Sequence, residues 1–193
     1  MKKIITYILL ITTLALLTNN TQAQAWDKSS SVLTIGVSLS QFYHLDDYYY
    51  TKNDSRRGYK LLTEQFIFQG EFGIHKYVGL GFLVGVGGRG GLSNNYNGEL
   101  NIPVGLVSNF HFYQLIADNS KKNLHADKTD IYAGINIGSG VAFTYYTNST
   151  RVVPLLFGGL HAGIRYYISP KFALNAEAGM GKSMVNAGFS FKL

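Results

Sequence analysis

VGLGFLVGVGGRGG, Val78 to Gly91, admits two readings. Gly85, Gly87 and Gly90 fall in the spacing G-x-G-x-x-G, the fingerprint of a dinucleotide site. Such a site needs a strand, a glycine turn and then a helix whose N-terminus holds the pyrophosphate. Here LSNNYNG follows, a turn-rich run that opens no helix, and Pro103 comes soon after. Alternation accounts for the stretch better. Val78, Leu80, Phe82, Val84 and Val86 fall on one face; Gly79, Gly81, Leu83, Gly85 and Gly87 fall on the other. Glycines at strand period mark a crowded face that a neighbouring strand or side chain approaches closely.

The same alternation runs through the rest of the chain. It covers Leu33–Leu39, Phe66–Ile74, Leu100–Val107, Ile131–Gly138, Leu156–Tyr166, Phe172–Met180 and Val185–Leu193. With Val78–Gly87 these make eight strands, each near the 9–11 residues that a tilted transmembrane strand needs. One face of every strand carries no Asp, Glu, Lys or Arg. The other carries Gln69, Glu71, Asn136, His161, Arg165, Asn175, Glu177 and Lys192 among Gly, Ser and Ala. A soluble ligand-binding barrel has the reverse, an apolar inside and a charged outside. An uncharged apolar face opposite a polar one fits a barrel standing in lipid, where a charge on the lipid side costs about 2–4 kcal/mol at the midplane. The expected fold is therefore all-β: an eight-stranded antiparallel up-and-down transmembrane β-barrel.

Composition agrees. The chain has 193 residues, 22 glycines, 14 tyrosines and 12 phenylalanines, with 15% charged residues. It has no cysteine, which excludes disulfides and thiolate metal sites. Met1-Lys2-Lys3, the apolar run Ile4–Leu17 and the small-x-small triplet Ala23-Gln24-Ala25 read as a secretory signal peptide over residues 1–25, with residues 26–193 forming the barrel. Cleavage is expected after Ala25, with Ala23 as the alternative. The apolar run falls short of the roughly 20 residues that a spanning helix needs. Removing Lys2 and Lys3 takes two charges from the formal +6 and leaves +4, too little to argue for a nucleic-acid partner.

Connections follow from strand order. His75-Lys76-Tyr77 and Ser169-Pro170-Lys171 read as tight periplasmic turns. Asp46–Gly58, Arg89–Gly98 and Thr147–Val153 read as longer polar outer loops. Leu115–Thr129 is long for a periplasmic turn; it holds a short helix or extends the barrel. Phe42, Tyr43, Tyr48, Tyr49, Tyr50, Tyr59, Phe110, Phe112, Tyr145, Tyr146, Tyr166 and Tyr167 lie near strand ends, as interface girdles do.

These features resemble the small outer-membrane β-barrel proteins, the class that includes the OmpA transmembrane domain and OmpX. GLHAGIRYYISPKFALNAEAGMG, Gly159–Gly181, resembles a hairpin of the outer-membrane β-barrel domain of Bacteroidetes type. VNAGFSFKL resembles the C-terminal signal read by the barrel assembly machinery, with Phe189, Phe191 and Leu193 at its apolar positions and Leu where an aromatic residue is usual. The resemblance implies an exported protein of the cell outer membrane. Its implied partners are membrane lipid, lipopolysaccharide and the assembly machinery.

By parity Glu71, Arg165, Glu177, His161 and Lys192 point into a lumen just wide enough for its own side chains, forming an interior polar network that acts as a structural plug. His161 is also the one candidate for acyl chemistry, although no His-x-Ser-Asn run accompanies it. His44, His75, His111 and His125 show no spacing that pairs them with carboxylates, so nothing points to a metal or a cofactor. Arg56, Arg57 and Lys60 suit lipopolysaccharide phosphates or, equally, a solvated loop, and Asp46 and Asp47 with their three tyrosines read as a solvated loop or a contact surface. The expected function is a non-enzymatic outer-membrane barrel, structural or binding a surface ligand through its loops. The alternatives are a lipid-modifying acyl hydrolase or acyltransferase and, more weakly, a narrow pore.

Overall fold

The computed structural model describes residues 25–40, 43–44, 63–93, 96–120 and 124–193. Expectations placed on residues 1–24, Phe42, the Asp46–Gly58 loop, Tyr48, Tyr49, Tyr50, Arg56, Arg57, Tyr59 and Lys60 lie outside these residues, as does the side chain of Tyr43.

Among the described residues nine strands form: β1 Ser31–Ser40, β2 Tyr43–His44, β3 Thr63–His75, β4 Val78–Ser93, β5 Tyr96–Phe110, β6 Thr129–Tyr146, β7 Ser149–Ser169, β8 Phe172–Gly179 and β9 Val185–Lys192. All pairings are antiparallel, and β1-β3-β4-β5-β6-β7-β8-β9 closes into a ring of eight through the β9–β1 seam. At that seam Gly36 faces Gly188, and the hydroxyls of Thr34 and Ser190 are 2.8 Å apart. Closure leaves the ring without a free edge, so its backbone groups pair within the wall. The opening stretch lies wholly within β4, so its G-x-G-x-x-G spacing belongs to a strand and no helix follows it.

Parity assigns the faces as expected. Phe66, Phe82, Leu106, Ile137, Leu160 and Phe189 point outward, with Ile137 68% exposed. Thr34, Gln69, Glu71, Asn101, Asn109, Asn136, Asn175 and Ser190 are buried in the lumen. Ser139 is polar on the outward face, but its hydroxyl donates to the carbonyl of Leu155 at 2.9 Å.

Strand length is where expectation and structure part. β8 and β9 have 8 residues each, while β4 to β7 have 16, 15, 18 and 21. Thr147–Val153 is not a loop: Thr147-Asn148 is a turn, and Ser149–Val153 continue β7. Arg89–Gly98 likewise is mostly the top of the β4–β5 hairpin. The wall therefore rises on the β4–β7 side, where cross-strand pairing runs on to the hairpin tips. Along the edge of β7 opposite β6, β8 pairs with His161–Ser169, and higher up β2 pairs with Leu155 and Leu156. The end that carries Ala25 and Leu193 also carries the turns at Lys76-Tyr77 and Pro170-Lys171. Helix α1, Phe112–Asn119, is there too, within the long β5–β6 connection. The helix settles that connection without adding a strand to the ring. Asp118 of α1 meets Lys76 of the β3–β4 turn at 2.8 Å. Burial opposes the shift, but the Lys76 ammonium holds the Asp118 carboxyl below its ordinary range.

Inner-face glycines seat the groups that pass beside them. A Cβ at Gly163 would meet the Tyr132 ring, and one at Gly81 would meet the carbonyl of Gly70 and the Cα of Glu71. Gly90 has open space around it. Gly81→Val is therefore expected to destabilise the barrel by about 1–3 kcal/mol through overpacking. Gly90→Val should stay within about 0.5 kcal/mol of the parent. Urea unfolding of both variants, refolded in detergent, checks the contrast; equal midpoints would refute this role for Gly81.

Candidate functional site in the lumen

Four side chains from four places on the circumference close a ring of charge near the lower mouth. Glu71 sits on β3, Asp130 on β6, Arg165 on β7, and His111 just past the end of β5. His111 Nε2 is 3.0 Å from Glu71 Oε1, and His111 Nδ1 is 2.7 Å from Asp130 Oδ1. Arg165 donates to Asp130 Oδ2 at 3.2 Å through one terminal nitrogen and to Glu71 Oε2 through the other. All four carboxylate oxygens and both imidazole nitrogens are thus engaged. Both ring nitrogens face acceptors, so both must donate, and His111 is an imidazolium. Burial works against that charge, but Asp130 and Glu71 raise the His111 pKa above its ordinary 6.5. Two anions and two cations then leave the ring neutral, the condition under which buried charges are tolerated.

Trp26 covers the ring. Its indole stacks on His111 with centroids 3.6 Å apart and planes 7° from parallel. On the other side the Arg165 guanidinium lies 4.4 Å from the centre of the Tyr132 ring. Tyr132 leads to a second cluster. Its hydroxyl lies 2.7 Å from Glu177 Oε1 and 2.9 Å from Asn175 Oδ1. Glu177 Oε2 receives Asn186 at 3.0 Å and the Lys182 ammonium at 2.7 Å, and Lys182 also donates to Gln69 Oε1 at 2.6 Å. Lys182 comes from the β8–β9 turn, which dips inward because the hairpin is short. Gly181 supplies the φ of +86° that the turn requires, and the Lys182 amide donates to Asn136 Oδ1 at 2.9 Å.

His161 lies mid-barrel between two amides. Nε2 is 2.8 Å from Asn109 Oδ1, and Nδ1 is 3.2 Å from Asn136 Nδ2. The ring donates to one amide and accepts from the other, as a neutral imidazole does. Neither bond goes to a carboxylate or a hydroxyl, so among the described residues His161 lacks the orienting acid and nucleophile of an acyl-transfer site. Farther along the wall Leu83, Val107, Ala142, Val153, Leu155 and Phe157 form an apolar filling.

Of the residues singled out in the sequence, Glu71 and Arg165 meet directly, while Glu177 and His161 belong to adjoining clusters. Lys192 stands apart at the lower rim, with Nζ 3.6 Å from Asp27 Oδ2. Phe189, Phe191 and Leu193 face outward. Tyr167, expected in a girdle, is instead inside, packed with Ala25 and Ala173, because it shares the parity of Arg165. Phe112 belongs to α1, whereas Phe110, Tyr145, Tyr146 and Tyr166 are exposed at strand ends. His111, Asp130, Lys182 and Trp26 are the members that sequence spacing missed.

Removing one member of the charged ring strands its partners. Arg165→Met is expected to cost about 3–5 kcal/mol. The double variant Glu71→Gln/Arg165→Met should cost clearly less than the two single losses added together, because Asp130 and His111 still balance each other. Additive losses would disprove a closed ring. The His111 pKa is raised by folding, so its contribution is full below the unfolded value near 6.5 and is lost as pH rises through the folded value. The urea midpoint should fall over that window in the parent, and His111→Gln should flatten the fall.

No family model matches the chain, and no curated protein matches it. Solved structures do. Neisserial surface protein A matches at 10% identity and TM-score 0.53, covering 85% of this chain and 96% of its own. The N-terminal β-barrel domain of Pseudomonas aeruginosa OprF matches at 11% identity and TM-score 0.52, covering 87% and 99%. Ail, the attachment invasion locus protein of Yersinia pestis, matches at 14% identity and TM-score 0.48, covering 86% and 95%. With the ring closure and apolar outer band described above, the first two matches identify the fold as an OmpA/OmpX-like, eight-stranded antiparallel up-and-down transmembrane β-barrel.

Proposed function

We propose that this chain is a non-enzymatic integral protein of the outer membrane, with a structural role or a binding role exercised by its outward hairpins. The observation that carries this reading is the filled lumen. Arg165, Lys182, Tyr132 and Trp26 are all large, wholly buried and engaged across the bore. A bore filled by paired charges supports neither a pore nor a substrate channel. The isolation of His161 from any acid or hydroxyl likewise speaks against the acyl hydrolase or acyltransferase. In this reading the N-terminal leader directs export, and the lower end faces the periplasm. The tall β4–β5 and β6–β7 hairpins rise above the membrane, where they meet lipopolysaccharide or a surface ligand. Phe189, Phe191 and Leu193 serve recognition by the barrel assembly machinery. The narrower kinship with the Bacteroidetes-type barrel domain belongs to this proposal too.

Fractionation tests location and closure together. The protein is expected in outer-membrane fractions, with a gel mobility that shifts only on boiling. In planar bilayers it should leave the conductance at the lipid baseline. A soluble protein without a heat shift would overturn the membrane assignment. Stepwise conductance would overturn the closed lumen, and acyl release from lipopolysaccharide that His161→Ala abolishes would restore the enzyme.

A further inference from the structure

Residues 25–30 cross the lower mouth of the barrel and are built into both of its walls. On the β6 side the amide of Ala25 donates to the carbonyl of Ala126 at 3.0 Å. The Ala25 methyl is buried against Tyr167 and Ala173. Trp26 follows, wholly buried and stacked on His111. On the β3 side the amide of Gly73 donates to the carbonyl of Ser30 at 2.8 Å. A Cβ at Gly73 would run into the carbonyls of Asp27 and Lys28, so that glycine admits the segment. Between these anchors the Asp27 amide donates to Ser30 Oγ at 2.9 Å, which turns the chain.

The sequence offers two cleavage points, each with a small residue on its N-terminal side and another two positions earlier. These are Ala25 with Ala23, and Ala23 with Thr21. The leader rule alone does not choose between them, and the leader is removed before the barrel folds. The folded barrel does choose, because a residue with a place in the fold has to survive removal of the leader. Cutting after Ala25 would empty the site against Tyr167 and Ala173 and leave the carbonyl of Ala126 without its donor. It would also put a new ammonium on Trp26, a residue with no exposure.

We infer that the leader is cut after Ala23, and that the retained Ala25 anchors a plug headed by Trp26 over the charged ring. Water adds across the Ala23–Gln24 peptide bond, leaving a carboxylate on Ala23 and an ammonium on Gln24. The inference rests on the export reading above, and the intact mass of protein purified from outer membranes separates the two. A mature chain beginning at Gln24, as the free amine or as the ring formed when that amine displaces ammonia from the side-chain amide, is the expected result. A chain beginning at Trp26, or at any other residue after a cut, would overturn the inference and leave export standing. A chain that keeps Met1 would overturn both. Trp26 is the only tryptophan, so its fluorescence reports the plug alone. In barrels refolded from chains beginning at Gln24 and at Trp26, acrylamide should quench the shorter form severalfold more strongly. Equal quenching would refute the anchoring role of Ala25.

Discussion

A charge inside an eight-stranded barrel has neither bulk water nor room to move, so it must be met by a fixed partner. That constraint shapes the lower half of this molecule. Glu71, His111, Asp130 and Arg165 reach the centre from different strands, and each is wholly buried only because two others hold it. The ring ties β3, β6 and β7 to the start of the β5–β6 connection, so strand slippage there would break several ion pairs at once. Tyr132 carries the constraint onward: its ring faces the Arg165 guanidinium and its hydroxyl faces Glu177. Glu177 then fixes Lys182, and Lys182 fixes the turn that closes the short hairpin. Packing, register and loop conformation are linked through one chain of polar contacts.

Glycine is the steric counterpart of that network. Arginine, tyrosine and histidine side chains crossing a narrow bore need flat places to lie. Tyr132 lies against Gly163, His161 against Gly134 and Gly179, and Phe157 against Gly105 and Gly138. Glycine on the inner face is therefore half of the packing solution, and the bulky residue across the strand pair is the other half.

How much of this was legible depended on what period two can carry. Alternation placed Glu71, Arg165, Glu177 and His161 inside, because a residue's face follows from its parity along a strand. The same rule reaches Asp130, two positions before Tyr132, and His111, two after Asn109, once the strands are extended past their apolar cores. It would also have put Tyr167 beside Arg165 and not in a girdle. Parity says nothing about Lys182 or Trp26, which are not on strands. Lys182 enters through a turn whose depth is set by the shortness of β8 and β9. Trp26 enters because the segment before β1 folds back across the mouth. Strand height was illegible for a related reason. At the tops of β4 to β7 the sequence turns rich in Gly, Asn, Ser and Thr, as in Arg89–Gly98 and Thr147–Arg151, and only cross-strand pairing distinguishes those strand ends from loop.

Unequal height has a consequence for how the barrel meets its surroundings. Where β8 ends, the edge of β7 would be exposed, and an unpaired edge invites pairing with another chain. There β2, which follows β1 in the chain, pairs with that edge at Leu155 and Leu156. The lumen below is committed to holding the barrel together. On the tall β4–β7 wall buried charge thins to Glu99, whose carboxylate accepts from the Thr144 hydroxyl at 3.5 Å, so residue choice is less constrained there than in the charged ring below.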